Sequence, residues 1–393
     1  MKVVLAFSGG LDTSYCSKYL AKELEYDVHA VTVNTGGFSA EDKKNLEKKA
    51  LALGVSSYTF LEKTEEFYQK GVRFLLFGNV LKNNTYPLSV SAERVFQASA
   101  IAEYANEINA EAIAHGSTGA GNDQIRFDVI FQAVCPGMEI LTPIRDQSLS
   151  REEEIDYLKK NGVEGDWEKA TYSVNQGLWG TSVGGKETLT SNEYLPEEAF
   201  PKQLEKTGEE KISIDFEQGE PVAINSQKGS SVEVIQSLEE IASQYAIGRD
   251  IHVGDTIVGI KGRVGFEAAA AIILIKAHHA LEKHVLSKHQ LFIKDQAAAW
   301  YGNLMHEGQF LDPAMRDLES FLESSQKSVT GTVDVHLAPY RFHILGITSS
   351  NDLMQSSYGQ YGEMNTAWSG QDARGFAKIL STQMKIFKAV HHE

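Results

Sequence analysis

Five short apolar, β-branched runs within the first 145 residues, each followed by a longer stretch with helical spacing, constrain this chain more than any other feature. The runs are Val3–Phe7, Val28–Asn34, Ser57–Leu61, Ala112–His115 and Glu139–Pro143. The helical stretches between them are Thr13–Leu24, Ala40–Leu53, Glu65–Leu81, Ser91–Ile108 and Asn122–Val134. Strands separated by helices of this length pair in parallel, because a crossover helix returns the chain to the same end of the sheet. An α/β domain with a parallel sheet is therefore expected over residues 1–165. Its last piece is Ser150–Asn161, where Ser-Arg-Glu-Glu opens a charged surface helix with a capping box.

From about Trp167 the texture changes to Gly-rich loops, short alternating strands and a few helices, so residues 166–365 read as an α+β domain. Asp250–Gly259 and Thr332–Ile347 alternate as strands do. Residues 366–393 hold a terminal amphipathic helix, Ser369–Val390, with Ser369 as N-cap and Phe376, Ile379, Leu380, Ile386 and Phe387 at helical spacing. Its apolar face needs a cover, from its own subunit or from another. The two cysteines, Cys16 and Cys135, sit in apolar context and provide no disulfide framework, which fits a reducing, cytoplasmic setting. The 37 Lys and Arg against 53 Asp and Glu give a net charge of −16, which disfavours nucleic acid and anionic membrane as partners. The apolar run Ala268–Ile275 stops at Lys276, too short to span a bilayer.

At the end of the first strand stands Ala6-Phe7-Ser8-Gly9-Gly10-Leu11-Asp12-Thr13-Ser14. Two glycines let the backbone turn sharply and approach a ligand, and the helix that follows presents free N–H groups to an anion. Ser8, Thr13 and Ser14 add hydroxyls. Asp12, which phosphate would repel, makes sense if it holds Mg²⁺ or orients the loop. Neither the Walker spacing nor Gly-x-Gly-x-x-Gly occurs here. The fourth strand runs into a second loop, Gly116-Ser117-Thr118-Gly119-Ala120-Gly121-Asn122-Asp123-Gln124-Ile125-Arg126-Phe127. Both loops lie at the carboxyl edge of the sheet, where open α/β sheets bind ligands. Asn122 and Arg126, four apart on one helix face, are placed to grip one carboxylate together.

Ser-Gly-Gly-x-Asp resembles the loop of the ATP pyrophosphatase superfamily, whose members cradle the pyrophosphate end of ATP while a substrate oxygen attacks the α-phosphorus. Residues 115–127 are similar to the signature His-Gly-x-Thr-Gly-x-Gly-Asn-Asp-Gln-x-Arg-Phe of the argininosuccinate synthase family. Further matching pieces follow in order: Tyr86 to Arg94, Tyr172-Ser173, Leu178 to Ser182, and Gly259 to Glu267. The resemblance implies a nucleotide-binding domain joined to a synthetase domain, assembled as a homotetramer through C-terminal helices. It implies ATP, with its Mg²⁺, at Ala6, Phe7, Ser8, Gly9, Gly10, Asp12, Thr13, Ser14 and Gly116. It implies aspartate at Thr118, Asn122 and Asp123, and citrulline at Tyr86, Ser91, Asn122, Arg126, Ser173 and Ser182. Arg94 would serve a substrate carboxylate, and Ser8, Asp12 and Asp123 would stand nearest the chemistry. That chemistry is adenylation of a ureido oxygen followed by attack of the aspartate amine, with AMP and pyrophosphate released. Positioning and charge neutralisation carry such a reaction, so no nucleophilic side chain is required.

The sequence departs from the family pattern at Ala120, where Lys is usual, and at Thr181, where Arg is frequent. It departs again at Val253-Gly254-Asp255, where Val-Glu-Asn is usual, and at Phe266, where Tyr is common. Two acceptors stay open on this reading. Either Asp255 replaces the missing Glu and the acceptor is citrulline, or the acceptor is an N-acylated citrulline, such as the N-succinyl form, with Gly254 leaving room for the acyl chain and Lys186 as a cation for it. A tRNA-modifying ATP pyrophosphatase would bring paired reactive cysteines, and a non-catalytic nucleotide-sensing module would need no second polar cluster. The histidines, among them His252, His278, His279, His284, His289, His391 and His392, form no helix-spaced metal site and read as surface or supporting residues.

Overall fold

The computed structural model describes residues 1–165, 167, 172–359, 361–363 and 367–391. The N-terminal part comprises β1 (Lys2–Ala6), α1 (Leu11–Lys22), β2 (Asp27–Asn34), α2 (Ala40–Ala52), β3 (Ser57–Glu62), α3 (Thr64–Phe67), α4 (Arg73–Phe77), α5 (Ser89–Glu107), β4 (Ala112–Ala114), α6 (Asp123–Val134), β5 (Glu139–Leu141), α7 (Pro143–Asp146) and α8 (Arg151–Lys160). Its five strands form one sheet in the order β3-β2-β1-β4-β5, every pair parallel. The chain moves outward from β1 to β3, then crosses to the other side of β1 for β4. That reversal opens a crevice beyond the carboxyl ends of β1 and β4, and the two polar loops are the segments that leave those ends.

The expected helix over Glu65–Leu81 is shorter and uneven. Tyr68–Val72 is a π-helical stretch between α3 and α4, where Gly71 packs so close to the Phe96 ring that a Cβ would stand 2.7 Å from it. The helix stops at Phe77 because Gly78 follows and Asn79 takes φ 50°.

The C-terminal part adds β6 (Ser173–Gly177), β7 (Gly180–Gly184), β8 (Glu210–Glu217), β9 (Glu220–Ile224), β10 (Gln227–Lys228), α9 (Ser231–Ser243), β11 (Arg249–Asp255), β12 (Lys261–Glu267), α10 (Ala269–Val285), α11 (Lys288–His306), α12 (Pro313–Ser325), β13 (Gly331–Ala338), β14 (Arg341–Thr348), α13 (Gly370–Leu380) and α14 (Thr382–His391). Two antiparallel sheets result, β10-β9-β8-β13-β14 and β11-β12-β7-β6. The strand expected over Asp250–Gly259 ends at Asp255, where residues 256–260 turn back into β12. The expected strand Thr332–Ile347 is a hairpin of β13 and β14, turned at Tyr340 with φ 63°. The terminal helix is two helices, broken at Ser381.

One apolar core runs through both parts, joining Phe67, Phe77 and Phe96 to Ile214, Ile273, Leu281 and Val333. At its centre lies a sealed polar cluster. Lys294 is 3.0 Å from Glu282 and donates to the Phe77 carbonyl, and the Asn79 amide donates to Glu282 at 2.6 Å. Lys294 and Glu282 are fully buried, so each charge depends on the other. No helix among the described residues is long and apolar enough to cross a membrane.

Candidate active site

The first loop is tied down from both sides. Gly9 has φ +74°, a conformation that favours glycine, and a Cβ there would also press on the Leu46 side chain of α2 at 2.5 Å. Lys49 of α2 donates to the Gly9 carbonyl. Ser8 and Thr13 hydroxyls lie 3.2 Å apart across the loop. Ser14 was expected among the nucleotide ligands, but its hydroxyl donates to the Gly10 carbonyl at 2.6 Å and its side chain is buried away from the crevice. Gly116 of the second loop touches the first, where a Cβ would meet the Asp12 backbone at 3.2 Å.

Beneath this contact lie two carboxyls. Glu154 of α8 faces Asp12, and burial together with the Asp12 charge pushes Glu154 up to about 8. Burial raises Asp12 as well, opposed by Glu154 and the loop backbone and, less, by the Arg151 charge. Glu154 is 2% exposed, and its Oε2 has no hydrogen-bond partner.

The second loop is closed by Gln124, whose amide donates to the Gly119 carbonyl at 2.7 Å. Asp123 then receives two guanidinium groups: Arg94 Nε and Arg126 Nη1 each donate to it at 2.9 Å. Burial acts to raise the Asp123 carboxyl, but these two charges hold it below the usual carboxylate range. Arg94 also donates to Asn175 and Gln97, both at 2.8 Å, so the residue expected to serve a substrate carboxylate is already engaged. Asn122 and Arg126 do not converge on one point within the chain. Asn122 Oδ1 accepts from the Ile257 backbone at 2.8 Å, while Arg126 turns to Asp123, Ser91 and His306.

His306 of α11 reaches this cluster with its Nδ1 at 3.3 Å from Arg126 Nη2. A guanidinium only donates, so Nδ1 accepts and the ring proton sits on Nε2. Burial and the Arg126 charge push His306 down to about 3, leaving a neutral imidazole. Across the crevice, His252 stacks on Tyr86 at 5.3 Å between centroids, and Tyr86 packs on Phe266 at 5.4 Å. The His252 ring fills the space over Gly254, where a Cβ would stand 2.6 Å from Nε2. The imidazole therefore stands on the Cβ side of Gly254, while Gly254 and Asp255 themselves line the crevice. Lys186 is exposed and does not line the crevice, and Asp255 pairs with Lys261 at 2.7 Å.

A single cavity of about 940 Å³ gathers these parts. Of the expected nucleotide residues, Ala6, Phe7, Ser8, Gly10, Asp12, Thr13 and Gly116 line it, while Gly9 and Ser14 do not. Tyr86, Ser91, Arg94, Thr118, Asn122, Asp123, Arg126, Ser173 and Ser182 all line it. Sequence reasoning missed Arg151, His252 and His306, which line it too, and Glu154, which supports it. Arg151 and Glu154 stood in a stretch whose capping box signals only a solvated helix start, and the histidines come from segments far along the chain.

The family model described as the argininosuccinate synthase N-terminal HUP domain matches residues 2–164, and the one described as the argininosuccinate synthase C-terminal domain matches residues 172–387. Curated relatives that carry the name argininosuccinate synthase match along nearly their whole length. That of Methanocaldococcus jannaschii is 38% identical over 98% of this chain and 97% of its own length. That of Dictyoglomus thermophilum is 36% identical over 98% and 97%. That of Sulfurisphaera tokodaii is 34% identical over 99% of this chain and 100% of its own. With two domain models in order and relatives matched end to end, the chain belongs to the argininosuccinate synthase family.

Proposed function

We propose that this protein is an AMP-forming carbon–nitrogen ligase that condenses citrulline with aspartate at the expense of ATP. The observation that carries the reading is the continuity of the cavity, which joins the phosphate loop, the Thr118–Asp123 loop and the Tyr86, Ser173 and Ser182 wall in one space. The ureido oxygen attacks the α-phosphorus, the bond to the bridging oxygen breaks, and pyrophosphate leaves. The aspartate amine then attacks the ureido carbon, AMP departs, and the amine loses its proton. Ser8, Gly10 and Thr13 hold the phosphates through hydroxyl and backbone donors. Thr118 and Asn122 orient aspartate, while Asp123 keeps Arg94 and Arg126 fixed beside it. Tyr86, Ser91, Ser173 and Ser182 orient the acceptor.

Among the described residues no three His, Cys, Asp or Glu side chains converge on one point. Asp12, which lines the cavity, would meet a Mg²⁺ that arrives already bound to the nucleotide, where the ion would neutralise phosphate charge. The buried, unpaired cysteines support a cytoplasmic setting. The exposed Phe376, Ile379 and Leu380 of α13 and Met384 and Phe387 of α14 support coverage by further copies, as in a homotetramer. The relatives' shared name favours citrulline over its acylated forms. The test is pyrophosphate release with ATP and aspartate, run with citrulline, N-acetylcitrulline and N-succinylcitrulline. Citrulline is expected to give the highest kcat/KM, and release that needs no aspartate or no ureido acceptor would refute the reading.

A further inference from the structure

Four arginines line the cavity: Arg94, Arg126, Arg151 and Arg263. Arg94 and Arg126 are bound to Asp123. Arg263 donates to the backbone carbonyls of Glu187, Thr190 and Glu193. Arg151 differs from all three. It is exposed, lines the cavity on the Asp12 side, and donates through one Nη2 to the Trp167 carbonyl at 2.7 Å. Among the described residues no carboxylate lies within ion-pair distance of it, although its charge acts on both Asp12 and Glu154.

The phosphate loop itself has a charge problem. Ala6–Ser14 contains no Lys or Arg and does contain Asp12. Lys49, the nearest α2 cation, is turned to the Gly9 carbonyl and does not line the cavity. Apart from the nucleotide's own Mg²⁺, only backbone N–H groups and hydroxyls of this loop would face the triphosphate, beside the Asp12 carboxyl. A guanidinium that, among the described residues, donates to the Trp167 carbonyl, at the same end of the cavity, is the group that offsets this, and its planar fork suits phosphate oxygens.

We propose that Arg151 is a phosphate-binding residue of the nucleotide site, receiving the β- and γ-phosphates of ATP and holding the pyrophosphate as it leaves. The inference rests on the ligase reading above. The rigid start of α8 places it: Ser150 caps the helix through Glu153, so the Arg151 backbone is fixed one residue beyond the cap.

The test compares wild type, Arg151→Gln and Arg151→Lys as full-length protein, by calorimetric titration with inorganic pyrophosphate and, separately, with AMP. Arg151→Gln is expected to weaken pyrophosphate binding about tenfold or more while AMP stays within about twofold, and to raise the KM for ATP but not for aspartate or citrulline. Arg151→Lys should recover part of the pyrophosphate affinity. Equal pyrophosphate binding by wild type and Arg151→Gln overturns the inference. A matching loss for AMP and pyrophosphate also overturns it, since that marks a structural role through Trp167. Wild type that binds neither pyrophosphate nor ATP would instead overturn the ligase reading itself.

Discussion

A methyl group added at Gly177 would fall onto the carboxyl of Glu93, so the turn between β6 and β7 is built around an acid buried in α5. Glu93 is 1% exposed and adjoins Arg94, which in turn holds Asn175 of the same hairpin. Gly177→Ala should push the hairpin off α5 and carry Ser173 and Ser182 with it. Steady-state kinetics should show a KM for citrulline raised about tenfold, with the KM for ATP within about twofold. An unchanged citrulline KM would show that the hairpin does not place the acceptor.

Glu93 also gives the fold a pH dependence. Burial, opposed in part by the Arg94 charge, pushes it from an ordinary value of 4.5 up to about 8. Below pH 4.5 the folded and unfolded chains both hold the proton. Between 4.5 and about 8 only the folded chain does, so stability falls as pH rises through this window. Glu93→Gln removes that titration. Its advantage over wild type in unfolding free energy should grow with pH, by at most about 1.4 kcal/mol per unit. Parallel denaturation curves at pH 5 and pH 8 would refute this.

Asp123 should act on aspartate more than on ATP. Asp123→Asn keeps the shape but removes the charge between Arg94 and Arg126, at about 1.5–3 kcal/mol for each charge-assisted bond. The expected outcome is a lower melting temperature and a KM for aspartate raised about tenfold or more. A rise confined to the KM for ATP would move this cluster to the nucleotide.

Asp12 should govern the first step. Asp12→Asn is expected to fold normally and to lower pyrophosphate release by about 100-fold or more, since the loop loses its carboxylate at the phosphates. Near wild-type release by a folded variant would remove Asp12 from the mechanism.

The Glu282–Lys294 pair should be coupled. Removing one partner, as in Glu282→Leu, strands the other charge in the core at a cost of about 3–5 kcal/mol, whereas the double variant Glu282→Leu with Lys294→Met should recover most of it. Additive losses in chemical denaturation would contradict this.

The sheet was legible because an alternation of apolar runs and crossover lengths admits few topologies, and both loops were legible because Gly, Asn and Asp at strand ends have little packing value. Other features depended on tertiary context. Asn79 at positive φ ends a helix whose apolar spacing continues to Leu81. The alternation of Thr332–Ile347 continues through Pro339 and Tyr340, so it masks the turn between β13 and β14. Among site residues, the ties of Arg94 to Asp123 and of Glu154 to Asp12 join segments separated by whole helices, and no local pattern encodes them. His252 showed no signal at all until its ring was seen over Gly254.

The sealed cluster of Lys294, Glu282 and Asn79 bears on how such a chain can be inherited. A crossover between genes near residue 165 would join an Asn79 and Phe77 carbonyl from one parent to a Glu282 and Lys294 from another. Those four groups lie together in the buried core, so the hybrid would have to match them, together with the shared apolar wall, at the moment of joining. Exchanging one half for that of a relative would therefore have to carry matched partners across the seam.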